Sequence, residues 1–570
     1  MLRPCSDVVG SVSSIGLQIS TVHSRPYSMC RLLAVLIALC TAPFQISFAQ
    51  AEIVASPRDL AIVRINVIDL LANEPRLPLP IKQRREALLA YYQEFGGELI
   101  WLGTQRASEL VARLRDAEGD GLDPQDYPSK QLTTLIADGS ADKRKLAIIE
   151  LYFSAAFLEY ASDLKVGRFL PNKVDPNFFI EGRTIDQLAA LKALSQAHNI
   201  DQFFAGWQPT NAGYSALRSA LARYRILAAQ GGWGVVPLGA AIKPGTADPR
   251  IPIIRKRLSL TDGAVAHVVP AGEEVYDDAL VEAVKRFQAR QGLDVDGVMG
   301  STTIVAMNVP VVDRIKSIIV AMERLRWMPE DLGQQYLIVN IAGFELRRVR
   351  AGKVEERMAV VVGKPYHRTP VFSGQIRYLE FNPYWNVPPA IALNEELPKL
   401  RSNPGALAAQ GYEAVQGDRV LGLQTIDWNR YGSGNFPFQL RQRPGDNNAL
   451  GRVKFMFPNP HNVYLHDSPA RNLFGQRERA FSHGCIRLAR PLELANQVLQ
   501  AGGVQGWNSE RIESTVASAK TTVVNLRDPL PVHITYLTAW IDGGVASFRQ
   551  DIYGHDAKLL AALEGKAIAW

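Results

Sequence analysis

Cys485 and His466 are the two residues of this 570-residue chain whose types and spacing best suit covalent chemistry. Cys485 lies in the segment Phe481–Leu488, which reads FSHGCIRL, and His466 lies nineteen positions upstream in VYLHDSP. A thiol is a poor nucleophile until it loses its proton. A nearby imidazole can accept that proton and later pass one to a leaving amine. The pair therefore predicts a cysteine nucleophile served by a histidine that exchanges protons.

Three neighbours of the cysteine suit the same chemistry. Gly484 leaves room for a substrate to approach the backbone, and a tight turn here can aim amides at a developing oxyanion. Arg487 adds positive potential, which favours a thiolate and can hold a substrate carboxylate. It can equally satisfy carbonyl groups or a carboxylate within the fold. His483 is open between substrate positioning and hydrogen bonding that only shapes the turn.

The N-terminal segment is typical of an exported protein. A short apolar run, Leu32–Cys40, suits the core of a signal peptide, and Ser47–Ala49 offers small residues for cleavage after Ala49. The positive charge before that run begins near Met29, so Met1–Ser28 can be an over-extended start. A membrane anchor is the alternative, which the shortness of the run disfavours.

The cysteine count supports a use for the thiol. The chain has four cysteines, at Cys5, Cys30, Cys40 and Cys485. Three precede the predicted cleavage, and lipid attachment at Cys40 is disfavoured by the bulky Leu39 before it. An unpaired thiol in an oxidising compartment is a liability unless it is used. A buried inert cysteine is the alternative, and the neighbours of Cys485 argue against it.

The elements that must position these residues begin after a helical region. Between about residues 59 and 230 apolar residues recur with helical spacing. The clearest stripes are Leu88, Tyr91, Tyr92 and Phe95; Leu146, Ile149, Phe153, Phe157 and Tyr160; and Leu217, Leu221 and Tyr224. The acidic segment that begins at Asp116 resembles the start of a calcium loop, but Tyr127 replaces the bidentate Glu. We interpret that segment as a turn.

A compact unit follows between about residues 248 and 308. It is predicted to contain a helix at Ile253–Leu258, a second at Asp278–Arg290 and a short third helix capped by Ser301 or Thr302. Glycine turns separate the helices. These features predict a small three-helix module, joined to the next region by a helix over 311–328.

The period then changes to two, which predicts strands. These are Tyr336–Ala342, Phe344–Arg350, Glu355–Val362, Gln375–Asn382, Arg452–Phe457, Asn462–His466, Thr521–Leu526, Val532–Trp540 and Val545–Arg549. Arg347, Arg348 and Arg350 within them are interpreted as a solvated basic face. Residues 388–451 have weak strand signals and are predicted to interrupt the β-domain as an insertion of the kind that forms lids.

The amino-acid composition excludes several classes of protein but does not identify a function. Apolar residues make up 47% and charged residues 21%, which excludes wholesale disorder, collagen-like repeats and a polytopic membrane protein. A net charge of +7 permits an anionic partner without demanding one. The chain has neither zinc-like ligand spacing nor a phosphate-binding glycine loop. Nucleic-acid binding is improbable outside the cytoplasm.

Two groups of motifs carry a family resemblance. Tyr464–Asp467 followed by Ser482–Arg487 resembles the signature of L,D-transpeptidases with a YkuD-type catalytic domain. The resemblance extends over about Tyr336–His555, and FNPYWNVPP at Phe381–Pro389 is typical of the large periplasmic branch. The segment from Ala283 to Gly300 resembles the peptidoglycan-binding module of many wall enzymes. The branch also has a helical scaffold and a capping insertion.

The resemblance implies a mechanism and a place. Cys485 would attack the peptide bond after the third residue of a stem tetrapeptide, D-alanine would leave, and the thioester would pass to an amine on another stem as a 3→3 cross-link. His466 would be the proton donor and acceptor, and Gly484 would serve the oxyanion through the backbone. No metal or organic cofactor is needed. Peptidoglycan stem peptides and glycan are the implied partners, with no nucleic acid and no membrane segment after cleavage, and the implied location is the periplasm.

Four residues are candidates for substrate binding: His483, Arg487, Tyr464 and Trp385. The two aromatic residues can be pocket walls or core aromatics. Two other functions stay open. One is the same chemistry with another acceptor, such as a lipoprotein, a D-amino acid or water. The other is a wall-binding scaffold whose catalytic domain is inactive.

The expected fold class is multidomain α+β, with a helical scaffold, a three-helix module and a mainly-β YkuD-like domain carrying a capping insertion. The predicted boundaries are 1–49 signal peptide, 50–247 scaffold, 248–310 peptidoglycan-binding module, 311–332 connecting helix, 333–555 catalytic domain with an insertion at 388–451, and 556–570 C-terminal tail.

Overall fold

A computed structural model gives the architecture of the chain. It describes residues 56–94, 96–138, 140–266 and 272–565. All of them belong to the unit Glu52–Trp570. The predicted signal peptide at 1–49, with Cys5, Cys30 and Cys40, lies outside the described residues, as does Phe95 of the first helical stripe.

The first part of the described chain is helical, as predicted. Its helices are α1 (Pro57–Asn73), α2 (Leu79–Lys82), α3 (Arg85–Leu89), α4 (Arg106–Arg115), α5 (Ser129–Ala137), α6 (Lys143–Val166), α7 (Pro171–Val174), α8 (Gln187–Gln196), α9 (Ile200–Trp207) and α10 (Ala212–Ala229). After α3 the chain continues as a π-helical turn, Ala90–Glu94. The predicted stripes on α6 and α10 are buried in one apolar core, because their spacing places them on one face of each helix.

The acidic segment at the end of α4 is a structural turn. Residues Ala117–Asp120 form a 3₁₀ turn, and the Asp120 side chain is buried. Its carboxylate accepts hydrogen bonds from Arg113, from Arg218 Nε at 2.6 Å and from the Tyr160 hydroxyl at 2.5 Å. These donors stabilise a carboxylate that burial alone would make costly.

The small module contains α11 (Ile251–Ser259), α12 (Gly263–Ala266), α13 (Asp278–Gln291) and α14 (Ser301–Asn308). The four-residue α12 was not predicted. The predicted cap of α14 is wrong, since Gly300 occupies the N-cap and neither Ser301 nor Thr302 caps the helix with its side chain. The module has its own apolar core around Phe287.

Helix α15 (Val311–Trp327) connects the module to the β-domain. It is buried along much of its length, and it contains an ion pair between Arg326 and Glu323 with an N–O distance of 2.9 Å. Arg326 also donates to the Tyr214 hydroxyl at 3.0 Å. These contacts join the connecting helix to the helical region, because a buried charge needs such partners.

The β-domain is built on a nine-stranded sheet within the described residues. Its first four strands are β1 (Gln335–Asn340), β2 (Glu345–Arg350), β3 (Lys353–Gly363) and β4 (Phe372–Phe381). The insertion then contributes β5 (Trp385–Asn386), α16 (Pro389–Ile391), a π-turn (Ala392–Glu396), α17 (Leu397–Ser402), α18 (Pro404–Ala409), β6 (Tyr412–Gln416), β7 (Arg419–Leu421) and β8 (Gln439–Gln442). The chain returns with β9 (Val453–Met456), β10 (Leu465–His466), β11 (Ala480–Ser482) and β12 (Ile486–Leu488). It ends with α19 (Pro491–Ala501), α20 (Ser509–Ala517), β13 (Thr522–Thr535), β14 (Ala539–Asp542), β15 (Val545–Phe548) and α21 (His555–Gly565).

The main sheet closes on itself. Its strand order is β11-β3-β12-β10-β9-β4-β13-β1-β2, and β2 also pairs with β3. Strand β11 lies outside this closed ring of strands and, among the described strands, pairs with β3 alone, in parallel orientation. The interior is filled by alternating apolar side chains of these strands.

Two strand predictions need correction. The predicted strands Thr521–Leu526 and Val532–Trp540 are largely one long strand, β13, with a register shift between Asn525 and Leu530. Pro529 and Pro531 lie at that shift. Proline cannot donate a hydrogen bond to a neighbouring strand, so the two prolines made one strand look like two. The short strands β11 and β12 were not predicted.

The basic face predicted on β2 is wrong for two of its three arginines. The Arg348 guanidinium is paired with Glu355 at 2.5 Å, and Arg347 is paired with Glu345 and with Asp542. The side chains of Arg348 and Arg347 are only 12% and 20% exposed. Acidic residues on adjacent strands neutralise them, which single-sequence reading does not detect.

The insertion is a subdomain with its own small sheet, in the order β5-β8-β6-β7. Its apolar side chains form a separate core that includes Leu400 and Trp428. Helix α21 occupies the start of the predicted C-terminal tail, and its Leu559 is buried against the β-domain core. Within the described chain, the helices are too short or too polar to cross a bilayer.

Candidate active site

Cys485 lies at the end of a tight turn between β11 and β12. Gly484 immediately before it has φ of +111°, a conformation that favours glycine. Ser482 holds the turn from within: its hydroxyl accepts from the Gly484 amide at 3.1 Å and donates to the Cys485 carbonyl at 2.5 Å. The Cys485 amide has no acceptor among the described residues. The turn therefore presents one free N–H beside the thiol.

Two buried residues hold the turn from outside it. The Thr369 hydroxyl donates to the Gly484 carbonyl at 2.8 Å and accepts from the Gly363 amide at 2.9 Å. The Tyr553 hydroxyl donates to the Gly363 carbonyl at 2.5 Å, and the Thr369 amide donates to that hydroxyl at 3.3 Å. These bonds tie the turn to β3 and to the end of the domain, so its shape depends on sequence-distant residues.

His466 is brought beside the turn by strand pairing. Strand β10 runs parallel to β12, with Leu465 opposite Ile486 and His466 opposite Arg487. Because side chains alternate along a strand, His466 and Arg487 share one face and the buried pair Leu465 and Ile486 points to the core. The residue before Ile486, Cys485, therefore belongs to the face that carries the polar groups.

The imidazole of His466 is fixed by the main chain. Its Nδ1 lies 2.5 Å from the carbonyl oxygen of Asp467, and a carbonyl can only accept a hydrogen bond. Nδ1 therefore carries the hydrogen, and Nε2 keeps a lone pair. The Asp467 side chain accepts from the Arg452 amide at 2.9 Å and from Arg471 at 2.6 Å, which holds this segment in place.

The Cys485 sulfur lies in a mixed polar and apolar setting. It is 3.7 Å from the Asn462 carbonyl oxygen and interacts with the hydroxyl of Tyr464. Burial raises the pKa of the Cys485 thiol, while Tyr464 and the positive charges of Lys454 and Arg487 act in the opposite direction. The thiol is therefore protonated at neutral pH, and positive potential alone does not generate a resting thiolate.

Burial lowers the pKa of His466 to about 3, and the positive charge of Arg487 contributes to the same direction. The imidazole is therefore neutral at physiological pH, which a general base requires. Burial also raises the pKa of Tyr464, with a further contribution from Cys485, so its hydroxyl stays a donor. The Tyr464 ring lies 5.6 Å from the His466 ring and 4.7 Å from the Lys454 ammonium.

This arrangement of a thiol, a neutral imidazole and a free amide lies within a region that matches a known catalytic domain. Residues 334–525 match the L,D-transpeptidase catalytic domain, YkuD. The chain contains an L,D-transpeptidase domain. Residues 86–221 match the scaffold domain, and residues 268–307 match the family described as "Putative peptidoglycan binding domain". The three matches follow the order of the observed structural regions.

Several proteins named as L,D-transpeptidases are similar to part of this chain. A curated protein of Haemophilus influenzae, named "Putative L,D-transpeptidase", is 34% identical over 238 residues, which cover 42% of this chain. Those residues span 47% of that relative, so about half of its length is matched. An L,D-transpeptidase structure from Xylanimonas cellulosilytica is 13% identical, covering 52% of this chain and 98% of that one, with a TM-score of 0.18. A faropenem-adduct structure of L,D-transpeptidase 3 from Mycobacterium tuberculosis is 15% identical, covering 35% and 60%, with a TM-score of 0.18.

Arg487 is an unpaired cation of the L,D-transpeptidase domain. No ion pair of Arg487 with an acidic side chain occurs in the described part of the chain, and its Nε is buried without a hydrogen-bond partner. Burial lowers the pKa of its guanidinium, and Cys485 acts in the opposite direction. The alternative in which Arg487 balances a carboxylate of the fold is therefore not observed.

His483 connects the turn to the insertion. Its Nε2 lies 2.6 Å from Glu395 Oε1, and Glu395 belongs to the π-turn of the insertion. The His483 ring also lies 4.8 Å from the ring of His367. The insertion therefore touches the residue two positions before Cys485. Sequence reading did not select Glu395, since nothing local links it to the cysteine.

Among the described residues, the ring of Trp385 has an aromatic contact with Tyr412 and none with Tyr464 or His466. It lies on β5, its ring is 6.1 Å from that of Tyr412, and it packs against the insertion core. Sequence reading also missed Ser482, Thr369 and Tyr553 as residues that hold the turn. Ser482 was visible within the motif, whereas the other two are separated from it by more than sixty positions.

Among residues 56–94, 96–138, 140–266 and 272–565, no cluster of three or more His, Cys, Asp or Glu side chains suits a metal ion.

Proposed function

We propose that this chain is a peptidoglycan L,D-transpeptidase that forms 3→3 cross-links through a thioester on Cys485. One observation carries the proposal: Cys485 lies beside a free amide, close to an unpaired Arg487, on the strand face that carries a neutral His466. The match of residues 334–525 to the L,D-transpeptidase catalytic domain supports the reaction class. The match of 268–307 to a peptidoglycan-binding domain supports the polymer.

Acylation begins with proton transfer. Nε2 of His466 accepts the Cys485 proton as the sulfur attacks the carbonyl carbon after the third residue of a donor stem. The carbonyl oxygen becomes negative and is met by the Cys485 amide, which has no other acceptor in the described structure. The Gly484 amide is engaged by Ser482. We therefore assign the oxyanion donor to Cys485 and give Gly484 the role of shaping the turn.

The tetrahedral intermediate then collapses. The C–N bond to the terminal D-alanine breaks, and the His466 imidazolium gives its proton to the departing amine. Free D-alanine leaves, and a thioester joins Cys485 to the third residue of the stem. Burial and the positive charge of Arg487 both favour the neutral imidazole, so the imidazolium returns its proton to the departing amine.

The acceptor step reverses these transfers. A side-chain amine on the third residue of a second stem attacks the thioester carbon, and His466 accepts the proton of that amine. The C–S bond breaks, the new amide is the 3→3 cross-link, and the proton on His466 returns to the Cys485 sulfur. The enzyme is regenerated without any cofactor in this scheme.

Arg487 is assigned to a substrate carboxylate. The guanidinium is half-buried, and within the described residues it forms no ion pair with an acidic side chain. A charged group in that state is stabilised when an anion arrives. The carboxylate of the terminal D-alanine is the anion nearest the bond that is cut.

The insertion is assigned to controlling the acceptor. Its Glu395 contacts His483 at 2.6 Å, so the subdomain reaches the catalytic turn. A cover that excludes water protects a thioester from hydrolysis and leaves it for an amine. We assign the location to the periplasm after removal of residues 1–49, since peptidoglycan is reached there.

The proposal is tested by product analysis. Purified protein is incubated with disaccharide tetrapeptides, and products are sequenced by tandem mass spectrometry. The expected products are free D-alanine and dimers joined between third residues, both lost in Cys485→Ala. When a D-amino acid or a lipoprotein is added, a donor stem joined to that amine in place of the dimer would assign the same chemistry to another acceptor. No thioester and no product with wild-type protein would favour the inactive wall-binding scaffold.

A further inference from the structure

A cleft of about 490 Å³ lies between the peptidoglycan-binding module and the L,D-transpeptidase domain. The module contributes the end of α13 and the segment that follows it, including Gln291 and Asp294. The catalytic domain contributes the segment before β11, including Arg477 and Glu478, together with Gln550. Neither region forms the cleft alone, so it exists only where the two are held together.

Arg549 holds the two walls of the cleft in place. Its Nη1 donates to the Arg290 carbonyl at 2.8 Å, and its Nη2 donates to the Ala289 carbonyl at 3.3 Å, at the end of α13. Its guanidinium lies 4.8 Å from the Trp540 ring of the catalytic domain. A Cβ at Gly292, whose φ is +66°, would lie 2.6 Å from the Arg549 side chain. The module is therefore attached closely and with a defined orientation.

The chemistry of the walls suits a polyol without strong net charge. The side chains of Gln291, Asp294, Arg477, Glu478 and Gln550 have no hydrogen-bond partner in the part of the chain that the structure describes. They offer both donors and acceptors, and their charges nearly cancel. Val295, an apolar side chain that is 55% exposed, also lines the cleft. Hydroxyl groups, ring oxygens and acetamido methyl groups would find partners here, and the three arginines and two carboxylates of the lining leave little net charge.

The cleft is connected to the catalytic turn by a short stretch of chain. Its wall at Gly475–Arg479 leads directly into β11 and then to Cys485. Six residues of extended chain span at most about 20 Å. Three residues of a stem peptide span about 10 Å, to which the link to the sugar adds length. This stretch sets only an upper limit on the separation, so the proposal requires that the stem begin at the Arg479 end of the cleft, next to β11.

We propose that this cleft binds the glycan backbone of the donor strand, two or more N-acetylated sugar residues, and thereby places the attached stem peptide at Cys485. The inference rests on the proposed function. It assigns Gln291 and Asp294 to glycan binding in the module and Glu478 to the same task on the catalytic side.

The first experiment measures binding without catalysis. Full-length protein carrying Cys485→Ala is titrated calorimetrically with peptide-free peptidoglycan glycan strands prepared by amidase digestion. We expect the Gln291→Ala/Asp294→Ala double variant to bind about five- to tenfold more weakly, since two polar contacts are removed. Glu282→Ala is the matched control, because Glu282 lies on the exposed face of α13 and does not line the cleft. Equal affinity of the double variant and the parent, or equal loss in the control, would overturn the proposal.

The second experiment separates the cleft from the chemistry. Cross-linking by protein with an intact Cys485 is compared for a free tetrapeptide donor and for glycan strands carrying the same stem. The double variant should raise the KM for the strands about five- to tenfold and leave the free tetrapeptide unchanged. An unchanged KM for the strands would contradict the cleft assignment while leaving the transpeptidase intact. If neither donor reacts even with the parent protein, the proposed function fails, and the binding titration still decides the cleft.

Discussion

The Cys485 thiol and the His466 imidazole are both uncharged in the resting protein. Burial raises the pKa of the thiol and lowers the pKa of the imidazole, so the proton stays on sulfur. This differs from a preformed thiolate–imidazolium pair, which needs a depressed thiol pKa. The proton moves only when the sulfur attacks a substrate carbonyl, which protects the half-buried thiol from unwanted reaction.

The protonation states predict a simple pH dependence for alkylation of the thiol. Because the pKa of Cys485 lies above its usual value, the thiolate fraction should rise about tenfold per pH unit between pH 6 and 8. The rate of reaction of Cys485 with iodoacetamide, followed by intact mass, measures that fraction. A fast rate that stays constant from pH 5 to 8 would indicate an ion pair and would contradict this account.

Tyr464 is predicted to stabilise the thiolate through its hydroxyl. Tyr464→Phe keeps the ring beside His466 and Lys454 but removes the donor to sulfur. A hydrogen bond to a charged acceptor contributes about 1 kcal/mol or more, so the thiol pKa should rise by about 0.7. The same alkylation profile measures it, with Tyr336→Phe on the distant strand β1 as the control. An unchanged profile in Tyr464→Phe would show that the Tyr464 hydroxyl does not stabilise the thiolate.

At the scale of elements, the insertion meets the catalytic turn through Glu395 and His483. Glu395→Gln should weaken this contact and loosen the cover, so that water competes better for the thioester. We expect hydrolysis to increase relative to cross-linking by about two- to fivefold. The ratio of tripeptide to dimer product measures it, and Glu510→Gln, on the exposed surface of α20, is the control. An identical product ratio would mean that the insertion is a surface elaboration.

The elements that were predicted from sequence share a long, regular pattern. The stripes on α6 and α10 recur over many turns, so the helical region could be recognised. Strands β11 and β12 have three residues each, which is too short for alternation to register. They nevertheless create the turn that carries Cys485. The part of the fold closest to the chemistry was therefore the least predictable.

The candidate site divides in the same way. Cys485 and His466 were found because thiol and imidazole chemistry is a property of residue type. Thr369, Tyr553 and Glu395 act by contact with the turn, and their positions in the sequence carry no signal of that contact. Residue type predicted the reacting groups, and only tertiary structure reveals the groups that hold them.

At the scale of the whole molecule, Arg549 is predicted to fix the peptidoglycan-binding module against the catalytic domain. Arg549→Ala removes the hydrogen bonds to the end of α13 and the contact with Trp540. We expect hydrogen exchange at Ala289–Gly292 to increase about tenfold, because the local opening free energy falls by about 1–2 kcal/mol. Arg430→Ala, on the exposed surface of the insertion, is the control. Unchanged exchange at α13 would show that other contacts fix the module.

The proposed mechanism places the acyl group on Cys485 during turnover. The most direct measurement is the intact mass of the protein, stopped in acid during reaction with a disaccharide tetrapeptide, followed by peptide mapping. We expect an adduct equal to the donor less one D-alanine, located on Cys485, absent in Cys485→Ala and strongly reduced in His466→Ala. Cross-linked product from Cys485→Ala, or an adduct on any other residue of the wild-type chain, would contradict it.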